Sequence, residues 1–181
     1  MPVHACPSKC RRRSPVVIAL LLPLVLAVAA GTLAPQKIAC VDRVQYYTSG
    51  WTGERLPDGR PRVSDDIIRR MRNVSIEEAW GILRNEGYNN QFESNWQMIH
   101  QDVPVVGRAL TAQYMPARPD VRKRLEADGK AEGRIGASNS WPIDMLQKGD
   151  VYVADGFGKI VDGTLIGDNL GNSIFAKSGN G

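Results

Sequence analysis

The stretch DMLQKGDVYVADG, residues Asp144–Gly156, decides how this chain is read. Lys148-Gly149-Asp150 is turn chemistry, and the run Val151-Tyr152-Val153-Ala154 after it predicts a short strand. Asp155-Gly156 closes that strand, and Lys159-Ile160-Val161 begins another, ended by Asp162-Gly163. Both Asp-Gly pairs read as turns rather than as metal ligands. Beyond Thr164-Leu165-Ile166, the residues Leu170, Ile174 and Phe175 fall at helical spacing with Ala176 beside them. The spacing predicts a helix that starts near Gly167 to Asn169 and runs towards Lys177, with Gly179 beyond its end.

Upstream, Val103 to Tyr114 (VPVVGRALTAQY) is β-rich, with apolar residues on both alternations, which predicts a strand covered on both faces. Asp120 to Gly136 is charged and helix-compatible, with Arg122 and Glu126 four apart. Asp65 to Arg72 predicts a short helix. Ser75-Ile76-Glu77-Glu78 has the form of a capping box and opens a second helix that should stop at Gly87. Short strands mixed with helices point to an α/β domain with a mixed sheet. Residues 35–64, rich in Gly, Pro and charge, read as an extended arm.

The N-terminus is a different kind of sequence. Lys9, Arg11, Arg12 and Arg13 precede a run, Ser14 to Gln36, that carries no charge. A basic start, an apolar centre and the small residues Ala27 to Ala30 make residues 1–34 a signal peptide, with export to the periplasm or secretion. The alternative is a membrane anchor over residues 14–36. The chain has 23 basic and 19 acidic residues, and four of the basic ones lie before Ser14, so the rest is formally neutral. The basic balance therefore belongs to the leader and argues little for nucleic-acid binding. Cys6 and Cys10 also lie in the leader, which leaves Cys40 alone and no disulfide framework. Only His100 lies beyond the leader, which excludes a multi-histidine zinc site.

The predicted helix start is the candidate for chemistry. First-turn amides have no intrahelical acceptor, and with the helix dipole they suit a carboxylate or phosphate. Gly167 removes a side chain where a ligand would approach, while the plainer alternative has Asp168 capping its own helix.

Three blocks then occur in order: VVGRALT (Val105 to Thr111), DMLQKGDVYVADG (Asp144 to Gly156) and GDNLGNSIFAKSGNG (Gly167 to Gly181). In this the chain, from about Asp65 to Gly181, resembles the RraA-like family. That family includes class II 4-hydroxy-4-methyl-2-oxoglutarate aldolases with oxaloacetate decarboxylase activity, and regulators of ribonuclease E. Some members carry the label demethylmenaquinone methyltransferase. The resemblance implies a mixed-sheet sandwich with flanking helices, of the swivelling β/β/α type, over residues 65–181. It implies that Gly167, Asp168, Asn169 and Leu170 bind the pyruvyl part of a substrate through backbone amides, with Asp168 also catalytic. It further implies Mg²⁺ or another divalent cation, a homotrimer, and an Arg-Asp pair in a loop after the next strand that completes the site. That pair would fall beyond Gly181, so the domain is expected to be incomplete at its C-terminus and the chain as it stands to lack aldolase activity. A non-catalytic binding or regulatory role is the alternative the family offers.

Overall fold

The structure is a computed structural model whose described residues are 41–158, 161 and 165–180. In chain order the elements are α1 (Val41–Tyr47), α2 (Asp65–Met71), α3 (Ile76–Asn85), β1 (Arg108–Gln113), α4 (Pro119–Ala131), α5 (Trp141–Asp144), β2 (Asp150–Asp155) and α6 (Asp168–Ser178). Three helices precede β1, two separate it from β2, and β1 and β2 pair in parallel with the register Arg108↔Asp150 to Gln113↔Asp155. This is α/β in the coarse sense. Of the expected mixed sheet, the described residues show this one parallel pair.

The helices begin where local hydrogen bonding tells them to. In α3 the capping box forms as expected: Ser75 Oγ accepts from the amide of Glu78 at 3.2 Å, and the amide of Ser75 donates to Glu78 Oε2 at 2.8 Å. Pro119 opens α4, where its missing N–H costs nothing, and Arg122 pairs with Glu126 at 2.7 Å along its surface. Helix α6 ends on Gly179 in the left-handed region (φ 71°), whose amide donates to the Phe175 carbonyl at 2.8 Å.

The core is small and lies on one side of the strand pair. Leu110 from β1, Ile143 from α5, Leu146 from the following turn and Ile174 from α6 are buried together. Met145, Tyr152, Ile166 and Leu170 pack around them. Helix α4 joins through Trp141: a Cβ added at Gly129 would sit 2.1 Å from the Trp141 ring, so only glycine allows this approach. The Trp141 indole N–H donates to the Ile135 carbonyl at 3.1 Å, and the Arg134 guanidinium lies 5.4 Å from the ring centre.

Three expectations are corrected. The arm over residues 35–64 is not simply extended, because Val41–Tyr47 is helical. Arg55 and Pro61 form an isolated antiparallel bridge, and Arg55 ties the segment together by donating to Thr48 Oγ1 (2.7 Å) and the Gly59 carbonyl (2.9 Å). The strand expected from Val103 begins only at Arg108, and Leu110 is its one buried residue. Helices α5 and α6 cover a single face, so Val103 and Val105 are exposed and the two-sided covering is not observed. The turn before β2 is preceded by a short helix, α5, that the sequence did not announce. The signal or anchor segment and most of the strand expected at Lys159-Ile160-Val161 lie outside the described residues. Among the described residues no helix is long and apolar enough to cross a membrane.

Candidate functional site

The start of α6 has the form expected of an anion cradle. Gly167 is the N-cap, extended at φ −99° and ψ −174°, and no side chain caps the helix. Asp168 is the first helical residue and does not cap its own helix, which sets the plainer reading aside. The first intrahelical bond runs from the Gly171 amide to the Gly167 carbonyl at 2.9 Å. Among the described residues, the amides of Asp168, Asn169 and Leu170 have no acceptor. Gly167, Asp168 and Asn169 are exposed, and a Cβ added at Gly167 would meet nothing within 4 Å. The half-buried Leu170 packs its side chain on the core and offers only its amide.

The start of α6 stands at the carboxyl end of the strand pair. Leu165, two residues before Gly167, lies 3.4 Å from where a Cβ on Gly156 would be, and Gly156 directly follows β2. Crevices outside the carboxyl ends of parallel strands are where open α/β sheets bind ligands. At the same end the Phe157 amide donates to Asp155 Oδ1 at 2.8 Å, and Gln113 donates to Asp155 Oδ2 at 3.1 Å. The Asp155 carboxylate is thus occupied with its own turn, as the sequence implied.

A divalent cation is not well served here. Asp168 is the one acidic residue of the first turn of α6, and among the described residues no three His, Cys, Asp or Glu side chains gather. The described residues by themselves do not supply the oxygen ligands a divalent cation takes, and the Arg-Asp pair that the resemblance implies would fall beyond Gly181. His100 is exposed, and Lys148 and Lys177 are surface residues, Lys177 pairing with Asp144 at 3.0 Å.

The opposite end of the strand pair holds a feature the sequence did not reveal. Asp150 is fully buried. Its carboxylate accepts from Arg60 Nη2 at 2.9 Å, from the Gln147 amide at 2.9 Å and from Arg108 Nε at 3.4 Å. Arg60 also pairs with Asp58 at 2.7 Å, and Arg108 with Asp65 at 2.7 Å. The Arg108 hydrogen bond and charge hold the Asp65 carboxyl below the usual carboxylate range. This network fastens residues 58–65 to both strands. Arg108, the one charge in β1, was a signal for it; Arg60, in a glycine- and proline-rich stretch, gave none.

Two cavities lie on this side, and Gly167 to Leu170 line neither. The larger, about 750 Å³, runs between β1 and the α1 segment; the smaller, about 470 Å³, is bordered by Glu54, Arg62, Asp65 and Arg108. Between the two ends, the hydroxyls of Tyr114 and Tyr152 meet at 2.6 Å. Burial, then the bond to Tyr114, raises the Tyr152 hydroxyl above the ordinary phenol range. Compared with known proteins, the chain matches no family model, no curated protein and no solved structure.

Proposed function

We propose that this chain binds a small α-keto acid at Gly167, Asp168, Asn169 and Leu170, as the substrate-binding part of an RraA-like lyase. The reaction class is cleavage of 4-hydroxy-4-methyl-2-oxoglutarate-type aldols to pyruvate, with decarboxylation of oxaloacetate. The observation that carries the reading is the start of α6, where three amides have no acceptor among the described residues and no side chain caps the helix. A carboxylate seated there gains charge-assisted hydrogen bonds and the favourable end of the helix dipole. Both cleavages leave pyruvate as its enolate, so holding that carboxylate fixes which bond is presented for breaking. In this proposal Asp168, exposed at the first helical position, holds or passes a proton. In the same proposal the protein is an exported homotrimer, and the exposed Ile82, Trp96 and Ile99 supply apolar surface for assembly.

The lyase reading needs a divalent cation by family resemblance; the second reading is a binding protein without catalysis. Pyruvate and oxalate titrations of the full chain, followed by backbone NMR, separate the parts. Asp168→Pro removes one amide at a position where proline is tolerated, since Gly167 is already extended. Asp168→Asn keeps the amide and removes the charge. Asp168→Pro should weaken oxalate binding about tenfold or more, while Asp168→Asn binds at least as tightly as the parent. Equal binding by all three proteins, or no binding by any, overturns the cradle. In a form extended beyond Gly181 through the next strand and loop, pyruvate release from oxaloacetate with added Mg²⁺, lowered by Asp168→Asn, supports the lyase; binding without turnover by that form leaves the binding protein.

A further inference from the structure

Among the described residues, strand β1 pairs through one of its two edges. The Arg108 amide donates to the Gly149 carbonyl at 3.0 Å, and the Tyr114 amide to the Asp155 carbonyl at 2.9 Å. With the register Arg108↔Asp150, the even-numbered residues of β1 therefore turn their backbone groups to β2. The odd-numbered residues Ala109, Thr111 and Gln113 turn theirs the other way. Arg60 Nη1 takes the carbonyl of Ala109 at 3.2 Å. Among the described residues, the amides and carbonyls of Thr111 and Gln113 have no partner.

This edge forms one wall of the 750 Å³ cleft. The facing wall is Val44 and Tyr47 of α1 with Pro61 and Val63, and Leu110 and Met145 supply apolar lining. Amides and carbonyls repeating at strand spacing beside apolar lining are what an added strand recognises. One extended segment of five residues, spanning about 17 Å, matches the run of β1 from Ala109 to Gln113. The charges are unequal too. Arg60 and Arg108 are matched by Asp58, Asp150 and Asp65, while Arg43 on the rim has no ion-pair partner among the described residues.

We propose that the outer edge of β1 is a peptide-binding edge. It takes a single extended segment of another protein, with apolar residues at alternate positions and an acidic residue near Arg43. The site is separate from the α6 cradle and does not depend on the keto-acid reading.

The test is fluorescence anisotropy on the full 181-residue chain. The probe is a labelled hexapeptide, Glu-Val-Thr-Val-Thr-Val, alongside two copies N-methylated at alternate positions in the two possible registers. Strand addition uses one edge of the peptide, so one methylated copy should lose at least about tenfold in affinity while the other keeps it. Thr111→Pro, whose lost amide points away from β2, should weaken the parent peptide similarly and leave the circular dichroism spectrum intact. Arg43→Glu should shift preference to the peptide beginning with Lys. Equal binding of both methylated copies overturns the proposal even if Thr111→Pro fails to fold. So does no binding of the parent peptide, or a signal that tracks only self-association of the chain.

Discussion

The half of the molecule built from β1, α5, β2 and α6 and the half from α2 to residue 107 follow opposite rules. In the first, every apolar residue that matters meets partners distant in sequence: Leu110, Ile143, Leu146 and Ile174 close one core. In the second, local chemistry is well formed. Ser64 and Ser75 both cap their helices, and Trp80 stacks near Phe92 (ring centres 5.4 Å apart) with Arg84 at 5.6 Å. Yet neither α2 nor α3 contains a buried residue, and Ile76, Ile82, Trp96 and Ile99 are exposed. Caps decide where a helix starts, but an isolated short helix stays marginal without tertiary packing. The difference teaches that the stability of this chain resides in the strand pair, and that the helices before it are held mainly through residues 58–65.

The comparison can be broken at three places. The largest effect is expected at Asp150→Ala, which leaves Arg60 and Arg108 beside an empty buried site. Removing one partner of a buried ion pair costs about 3–5 kcal/mol, read as a fall in the urea midpoint with an early loss of helix signal. A change under about 0.5 kcal/mol would mean that residues 58–65 are not fastened by this network. Next, Ile143→Ala at 1% exposure should cost about 2–5 kcal/mol, while Ile82→Ala at 65% exposure should fall within about 0.5 kcal/mol. Equal costs would show that α3 packs on something, and a concentration dependence of the Ile82 effect would identify that surface as an assembly contact.

The smallest effect concerns pH. An unfolded tyrosine ionises near pH ~10, while folded Tyr152 keeps its proton to higher pH. The resulting stabilisation is complete below that value and is lost as pH rises through the folded one. Urea midpoints of the parent should therefore fall more steeply from about pH 9 to about pH 11 than those of Tyr152→Phe. Parallel curves would remove the Tyr114–Tyr152 pair from the account.

What could be read in the sequence was what is local. The periodicity of Leu170, Ile174 and Phe175 and the glycine at 179 placed α6 within a residue of Asp168–Ser178. Ser75 and Glu78 announced their own hydrogen bonds. What escaped was set by separation: Arg60 and Asp150 lie 90 positions apart, and no propensity or spacing links them. Helix α1 sits among turn-forming residues, and α5 carries Pro142 in its first turn, so both were masked by their composition. The over-long strand has the same cause. Val103 to Val106 have the right residue types, but among the described residues Val103 and Val105 stay exposed, and β-propensity is largely a statement about covering. At the candidate site, the amides of Gly167 to Leu170 were legible because backbone groups at a helix start need no distant partner.

The far end of α6 deserves a mechanical reading. The Gly149 amide donates to the Ser178 carbonyl at 2.8 Å, and Asn180 Nδ2 donates to the carbonyls of Val106 and Asp150 at 3.3 and 3.2 Å. One side chain thus clasps the starts of both strands, and the helix above it is a beam about 16 Å long with its root at Asn180. It rests on the core at Ile174 and again near its other end at Leu170 and Ile166. A beam held at its root and supported near its tip keeps its direction, so the amides at the start of α6 are set by the same packing that closes the core.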